Sequence, residues 1–164
     1  MIKLNVPIYK QKRKDRACGF ICLQMLLDYY GKKLTYDEII KLARLDPKIG
    51  CWWAQMASVA LDLGLKTELI NYNLSNIYDT DIAKLKGKKL IERLKGQKRK
   101  IDKMYRPEIR YDIEMIKKGG KLTLKIPKKE DLVNWLKKRI PPILSIKIGP
   151  AYGSVPSRER RRTL

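Results

Sequence analysis

The strongest chemical signal in the sequence is a cysteine followed by glycine, Ala17-Cys18-Gly19-Phe20, where a basic loop runs into an apolar stretch. If that stretch is a helix, Cys18 occupies its first turn, where free backbone N–H groups and aligned peptide dipoles favour a thiolate. Lys12, Arg13, Lys14 and Arg16 add positive potential just upstream. Gly19 lets a substrate come close to the backbone. The competing outcome is a helix cysteine that simply packs as a small hydrophobe. Two further thiols exist, Cys22 on the same helix face and Cys51. Three sulfurs without a fourth ligand or a Cys-x-x-Cys spacing make a poor zinc site, so neither a metal nor a cofactor is expected. Trp52 and Trp53, next to Cys51, offer large flat faces that could line a substrate groove or fill a core.

The 164 residues contain no histidine. That removes the usual general base, the commonest metal ligand and any Cys/His or Ser/His pair within these residues. A lysine can act as a base when burial lowers its pKa, but the sequence places none beside Cys18. The odd cysteine count, with no export signal at Met1-Ile-Lys-Leu-Asn-Val-Pro7, points to reduced thiols and a cytoplasmic location. No stretch approaches the ~20 apolar residues of a membrane span.

The elements that must position Cys18 can be read from periodicity and capping signals. Asn5 to Tyr9, with Pro7 inside, predicts an extended lead-in or edge strand. From Cys18 the apolar residues Phe20, Ile21, Leu23, Met25, Leu26 and Leu27 are too dense for a narrow stripe, so this helix should be buried around much of its circumference, and Gly31 should stop it. Thr35-Tyr-Asp-Glu38 is a capping-box pattern opening a second helix to about Leu45. Pro47 to Gly50 turns the chain. Trp53, Met56, Ala57, Ala60 and Leu61 predict a third helix ending before Gly64, then a strand over Leu65 to Ile70. A basic helical segment follows, then a helix from Pro107 to Gly119-Gly120 and a strand over Leu122 to Ile126. A helix over Asp131 to Lys138 and an apolar strand over Pro142 to Ile148 complete the pattern.

Taken together, these residues resemble the papain-like cysteine peptidases that cleave double-glycine leader peptides of bacteriocins, and their stand-alone relatives. The resemblance rests on Val6-Pro7-Ile-Tyr-Lys-Gln11, then Cys18-Gly19-Phe-Ile-Cys22-Leu-Gln-Met-Leu-Leu, then Tyr29-Tyr30-Gly31. Thr35 to Leu42, Gly50, Ala57, Ala60 and Leu63-Gly64-Leu65 follow in the family's order, and residues 71–118 stand largely outside it. It implies an α+β, papain-like fold: an N-terminal helical lobe packed on an antiparallel sheet that is incomplete at the C-terminus. It also implies that Cys18 is the nucleophile acting on a peptide or protein substrate, with the Gln11 amide donating to the tetrahedral oxyanion. Gly19, Trp52 and Trp53 are expected at the substrate. Family members carry a His on a late strand and an Asp or Asn beyond it, and commonly an Asp where Ala17 stands here. Three accounts of the missing base follow: a truncated product, a degenerate homologue that binds without reacting, or a partner chain that completes the sheet. In each, this chain by itself should show a reactive thiol and essentially no hydrolysis.

Charge divides the chain. Residues 1–82 hold 12 Lys+Arg against 9 Asp+Glu, whereas residues 83–164 hold 26 against 8. We therefore expect one peptidase-like domain over 1–150, a basic helical insertion at about 78–118, and a mobile basic tail over 151–164. The cations of residues 84–121 could meet an anionic partner, nucleic acid or a lipid surface, which makes a non-enzymatic basic module the alternative to a peptidase-like domain. Only Tyr105 and Tyr111 interleave with them, too few to support base stacking on single strands.

Overall fold

The computed structural model describes residues 2–11, 18–44, 50–72 and 77–145. The upstream basic residues 12–16, Ala17, the turn from Pro47, the last part of the expected 142–148 strand and the 151–164 tail lie outside the described residues. Among the described residues no helix is long and apolar enough to cross a membrane.

Helix α1 (Cys18–Tyr29) buries Gly19, Phe20, Ile21, Leu23 and Leu27 while Cys18 and Cys22 face outward. It stops where Gly31 takes a φ of 75° and its N–H returns to the Asp28 carbonyl at 2.9 Å. That backbone is strained for any residue with a Cβ. Helix α2 (Tyr36–Ala43) opens with the expected capping box: the Thr35 hydroxyl accepts the Glu38 N–H at 3.3 Å, and the Glu38 carboxylate accepts the Thr35 N–H at 2.7 Å. The Thr35 N–H and the Thr35 hydroxyl, both donating to the Glu38 carboxylate, pull its carboxyl below the ordinary value. Thr35→Ala should cost about 1 kcal/mol in urea unfolding; an unchanged midpoint would mean that the cap is redundant. Helix α3 (Trp53–Asp62) is tied to the end of α2 by buried Gln55, which accepts the Trp52 N–H at 3.4 Å and donates to the Ala43 carbonyl at 3.0 Å.

These three helices close the first core, built from Phe20, Leu23, Leu27, Ile39, Ala43, Met56, Val59 and Ala60. Strand β1 (Glu68–Asn71) leads out of it. A 3-10 turn at Thr80–Lys84, helix α4 (Gly87–Lys98), a second 3-10 turn at Lys103–Tyr105 and helix α5 (Arg106–Lys117) then deliver the chain to strand β2 (Lys121–Leu124). Ile77, Tyr78, Ile82, Leu90, Leu94 and Ile109 form a second core there. Helix α5 packs on both α3 and α4, so it joins the two cores. Helix α6 (Lys129–Lys137) follows β2, and the Tyr29 hydroxyl donates to the Arg139 carbonyl at 3.2 Å, bringing the later chain back to α1.

The protein is thus mixed helix and strand, but the expected antiparallel sheet is corrected: β1 and β2 pair parallel, Glu68 opposite Lys121 through Asn71 opposite Leu124. The physical reason is the connection between them. An antiparallel pair closes with a short turn, whereas parallel strands need a long crossover carrying its own helices. Here the basic segment is that crossover. Residues 2–11 and 141–145 are extended or irregular and unpaired in any sheet, contrary to the edge strand and the start of the apolar strand expected there. Pro141 and Pro142 donate no ladder hydrogen bond, and Ile143 packs on the first core instead.

Candidate active site

Cys18 is the first residue of α1 and is exposed, one step before the buried Gly19 and Phe20. Its position follows from the sequence: the apolar run seats the helix in the first core, and that run begins immediately after the thiol. Gly19 lets α1 pack closely, since any larger residue would force its neighbours to move. A Cβ at this position would meet the Met56 sulfur at 2.4 Å and the Cys51 sulfur at 2.9 Å. The glycine therefore brings the start of α1 against α3, a packing role that its expected place beside a substrate did not foresee.

Cys51 is the residue whose importance the sequence understated. Its half-buried sulfur lies at the head of α1, where the backbone N–H groups of Gly19 and Phe20 point at it. Burial nevertheless pushes the Cys51 thiol up, and the neighbouring Cys18 and Cys22 add to that. The Cys22 thiol is also raised, by the protein packed along one side of it and by Cys18. The three sulfurs form one neighbourhood, yet no group of three His, Cys, Asp or Glu among the described residues is arranged to hold a metal.

Trp52 caps the start of α3, partly buried, and Trp53 is its first residue, 37 % exposed. Both follow Cys51 directly in the chain. Gln11 ends the extended segment 2–11 and is exposed. That segment is held to α1 by the Tyr9 hydroxyl, which donates to the Asp28 carboxylate. Asp28 lies ten helical residues beyond Cys18, about 15 Å along the axis at 1.5 Å per residue.

Two cavities of about 420 and 480 Å³ flank α5, and neither has Cys18, Gln11, Trp52 or Trp53 in its walls.

An exposed cysteine opening a buried helix, with glycine after it and a paired helical lobe behind it, defines a cysteine peptidase-like domain. The model of the Peptidase C39 family matches residues 5–95, and the chain belongs to that family. The match runs through β1 into α4, so it reaches into residues 71–118, which the resemblance had left largely outside. No curated protein and no solved structure matches the chain.

Proposed function

We propose that the domain captures peptide carbonyl groups through Cys18, with the Gln11 amide and the N–H of Cys18 facing the oxyanion, and with Gly19, Trp52 and Trp53 bordering the bound peptide. The observation that carries this is that Cys18 is the exposed first residue of α1, directly before the buried Gly19 and Phe20, in a chain of the Peptidase C39 family. The sulfur attacks the carbonyl carbon and the carbonyl oxygen takes the negative charge. Donors placed on that oxygen are worth ~3 kcal/mol each to the barrier. Collapse of the intermediate must then hand a proton to the departing amine. These 164 residues supply no imidazole for that transfer. We therefore read this chain as competent in nucleophilic capture, with turnover dependent on a base from beyond these residues.

Alkylation with iodoacetamide at pH 7.5, followed by peptide mapping, tests the reading. Cys18 should be modified about tenfold faster than Cys51, and Cys18→Ser should abolish the fast phase while peptide hydrolysis stays at background throughout. Preferential labelling of Cys22 or Cys51 would remove Cys18 from the role.

A further inference from the structure

The basic segment is not uniformly solvated charge. Lys95, Lys98 and Arg99 from the end of α4 and Arg106, Arg110 and Ile113 from α5 surround the cavity of about 420 Å³. The spacing explains the convergence. Positions 106, 110 and 113 share one face of α5, positions 95, 98 and 99 share one face of α4, and the two helices pack through Leu94 and Ile109. The result is five cations around one hollow, with no acidic side chain in its walls among the described residues.

Elsewhere some cations are paired while others, such as the exposed Lys88 and Lys89, stand alone among the described residues without converging on a hollow. Arg93 is held by Asp79 and Asp81, Lys118 by Asp62 and Glu114, Lys121 by Glu68 and Lys125 by Asp131. In the cleft only Lys95 has a carboxylate, the exposed Glu92 at 2.7 Å. Lys98, Arg99, Arg106 and Arg110 have none within ion-pair distance among the described residues. The Arg106 Nε is buried without a hydrogen-bond partner, a desolvated charged donor lacking an acceptor. Arg110 lies over the Tyr111 ring, 4.7 Å from its centre, which limits the directions its guanidinium can take.

We infer that this cleft binds a compact anion carrying two or more adjacent phosphate groups. Arginine forks match phosphate oxygens two at a time, and several of them around one hollow suit phosphates joined in a short chain. A nucleic-acid backbone would instead call for cations strung along a surface at the spacing of successive phosphates. No aromatic ring lines the hollow, so a nucleoside attached to the phosphates should add little. The site is separate from Cys18 and does not depend on the peptidase-like reading.

Calorimetric titration of the full chain with inorganic tripolyphosphate, in magnesium-free buffer at 150 mM NaCl, tests the inference, with ATP and a duplex DNA oligomer in parallel. Tripolyphosphate should bind saturably at one site. Arg106→Gln combined with Arg110→Gln should weaken it about 30-fold or more, whereas Lys88→Gln with Lys89→Gln, exposed on α4 away from the cleft, should change it less than about threefold. ATP within about threefold of tripolyphosphate marks a phosphate-chain site, and ATP binding much tighter marks a nucleotide site; both support the inference. Should the arginine variant melt early, Lys98→Gln with Arg99→Gln should weaken binding about tenfold. Absence of saturable binding at 1 mM, equal losses in cleft and control variants, or duplex DNA binding more tightly than tripolyphosphate would overturn it.

Discussion

Replacing Asp112 by asparagine should make the protein more stable at pH 8 and leave it nearly unchanged at pH 4.5. Asp112 is fully buried on α5. Its Oδ2 accepts the Tyr78 hydroxyl at 2.6 Å, while its Oδ1 has no partner. Glu108, one turn earlier, accepts from the Asn71 amide at 3.3 Å and lies 3.4 Å from the same hydroxyl. Burial is the main reason the Asp112 carboxyl is pushed up to about 7; the Tyr78 bond opposes that and the Glu108 charge adds to it. Burial raises Glu108 as well. The sign follows from the proton balance. An unfolded aspartate titrates near 3.9, so between about pH 4 and pH 7 the folded chain holds a proton that the unfolded chain has lost, and stability falls as pH rises. Below about pH 4 both states are protonated, and above about pH 7 both are ionised, so the loss is complete and constant. About three pH units at about 1.4 kcal/mol each set a ceiling of about 4 kcal/mol. The carboxamide never ionises and can still accept from Tyr78. Urea midpoints across pH 4.5 to 8.5 should therefore be flatter for Asp112→Asn than for the parent. Glu38, Glu68, Asp81 and Asp131 are held below their ordinary values and pull the parent's profile the other way, so the difference between the two curves is the diagnostic quantity. Parallel curves would show that Asp112 does not carry this penalty.

That cluster also shows where sequence stops being informative. The first core was legible because its signals are local: the apolar density after Cys18, the Thr35 and Glu38 box, the stops at Gly31 and Gly64, and the helical spacing from Trp53 all act within a few residues. Strand direction is different. Alternation in Leu122 to Ile126 announces a strand but says nothing of its partner, and the parallel pairing with β1 is set by a crossover of two helices that the charge pattern had marked only as an insertion. Nothing local in the sequence marks Asp112 as buried; its partner Tyr78 is thirty-four residues away and meets it in the folded chain. Cys51 was weighed as a metal ligand because only its residue type was visible. Its place against Gly19 and Phe20 depends on how α3 meets α1, and the one local hint was the glycine itself.

The seating of α1 carries the second large effect: Phe20→Ala should cost about 4 kcal/mol, within the 3–5 kcal/mol typical of emptying a buried phenyl site. Phe20 is fully buried, and it shares its core with Leu23, Leu27, Ile39, Met56 and Val59, contributed by all three helices of the lobe. A cavity there cannot refill from one direction, because each wall is fixed by another helix. The ring also anchors the end of the helix that bears the chemistry: the Phe20 N–H points at Cys51, and Cys18 is two residues upstream. Loss of the ring should therefore loosen the first turn of α1 and its packing against Cys51, and bring the alkylation rates of Cys18 and Cys51 closer together in protein that is still folded. Phe20→Leu, which keeps most of the buried volume, should cost about 1 kcal/mol and preserve the difference in rates. Both variants can be followed by urea unfolding and by the same thiol mapping. A loss below about 1 kcal/mol for Phe20→Ala, with the thiols still distinguished, would mean that the head of α1 is held by the Gly19 contact with Cys51 and Met56 and not by the aromatic core beneath it.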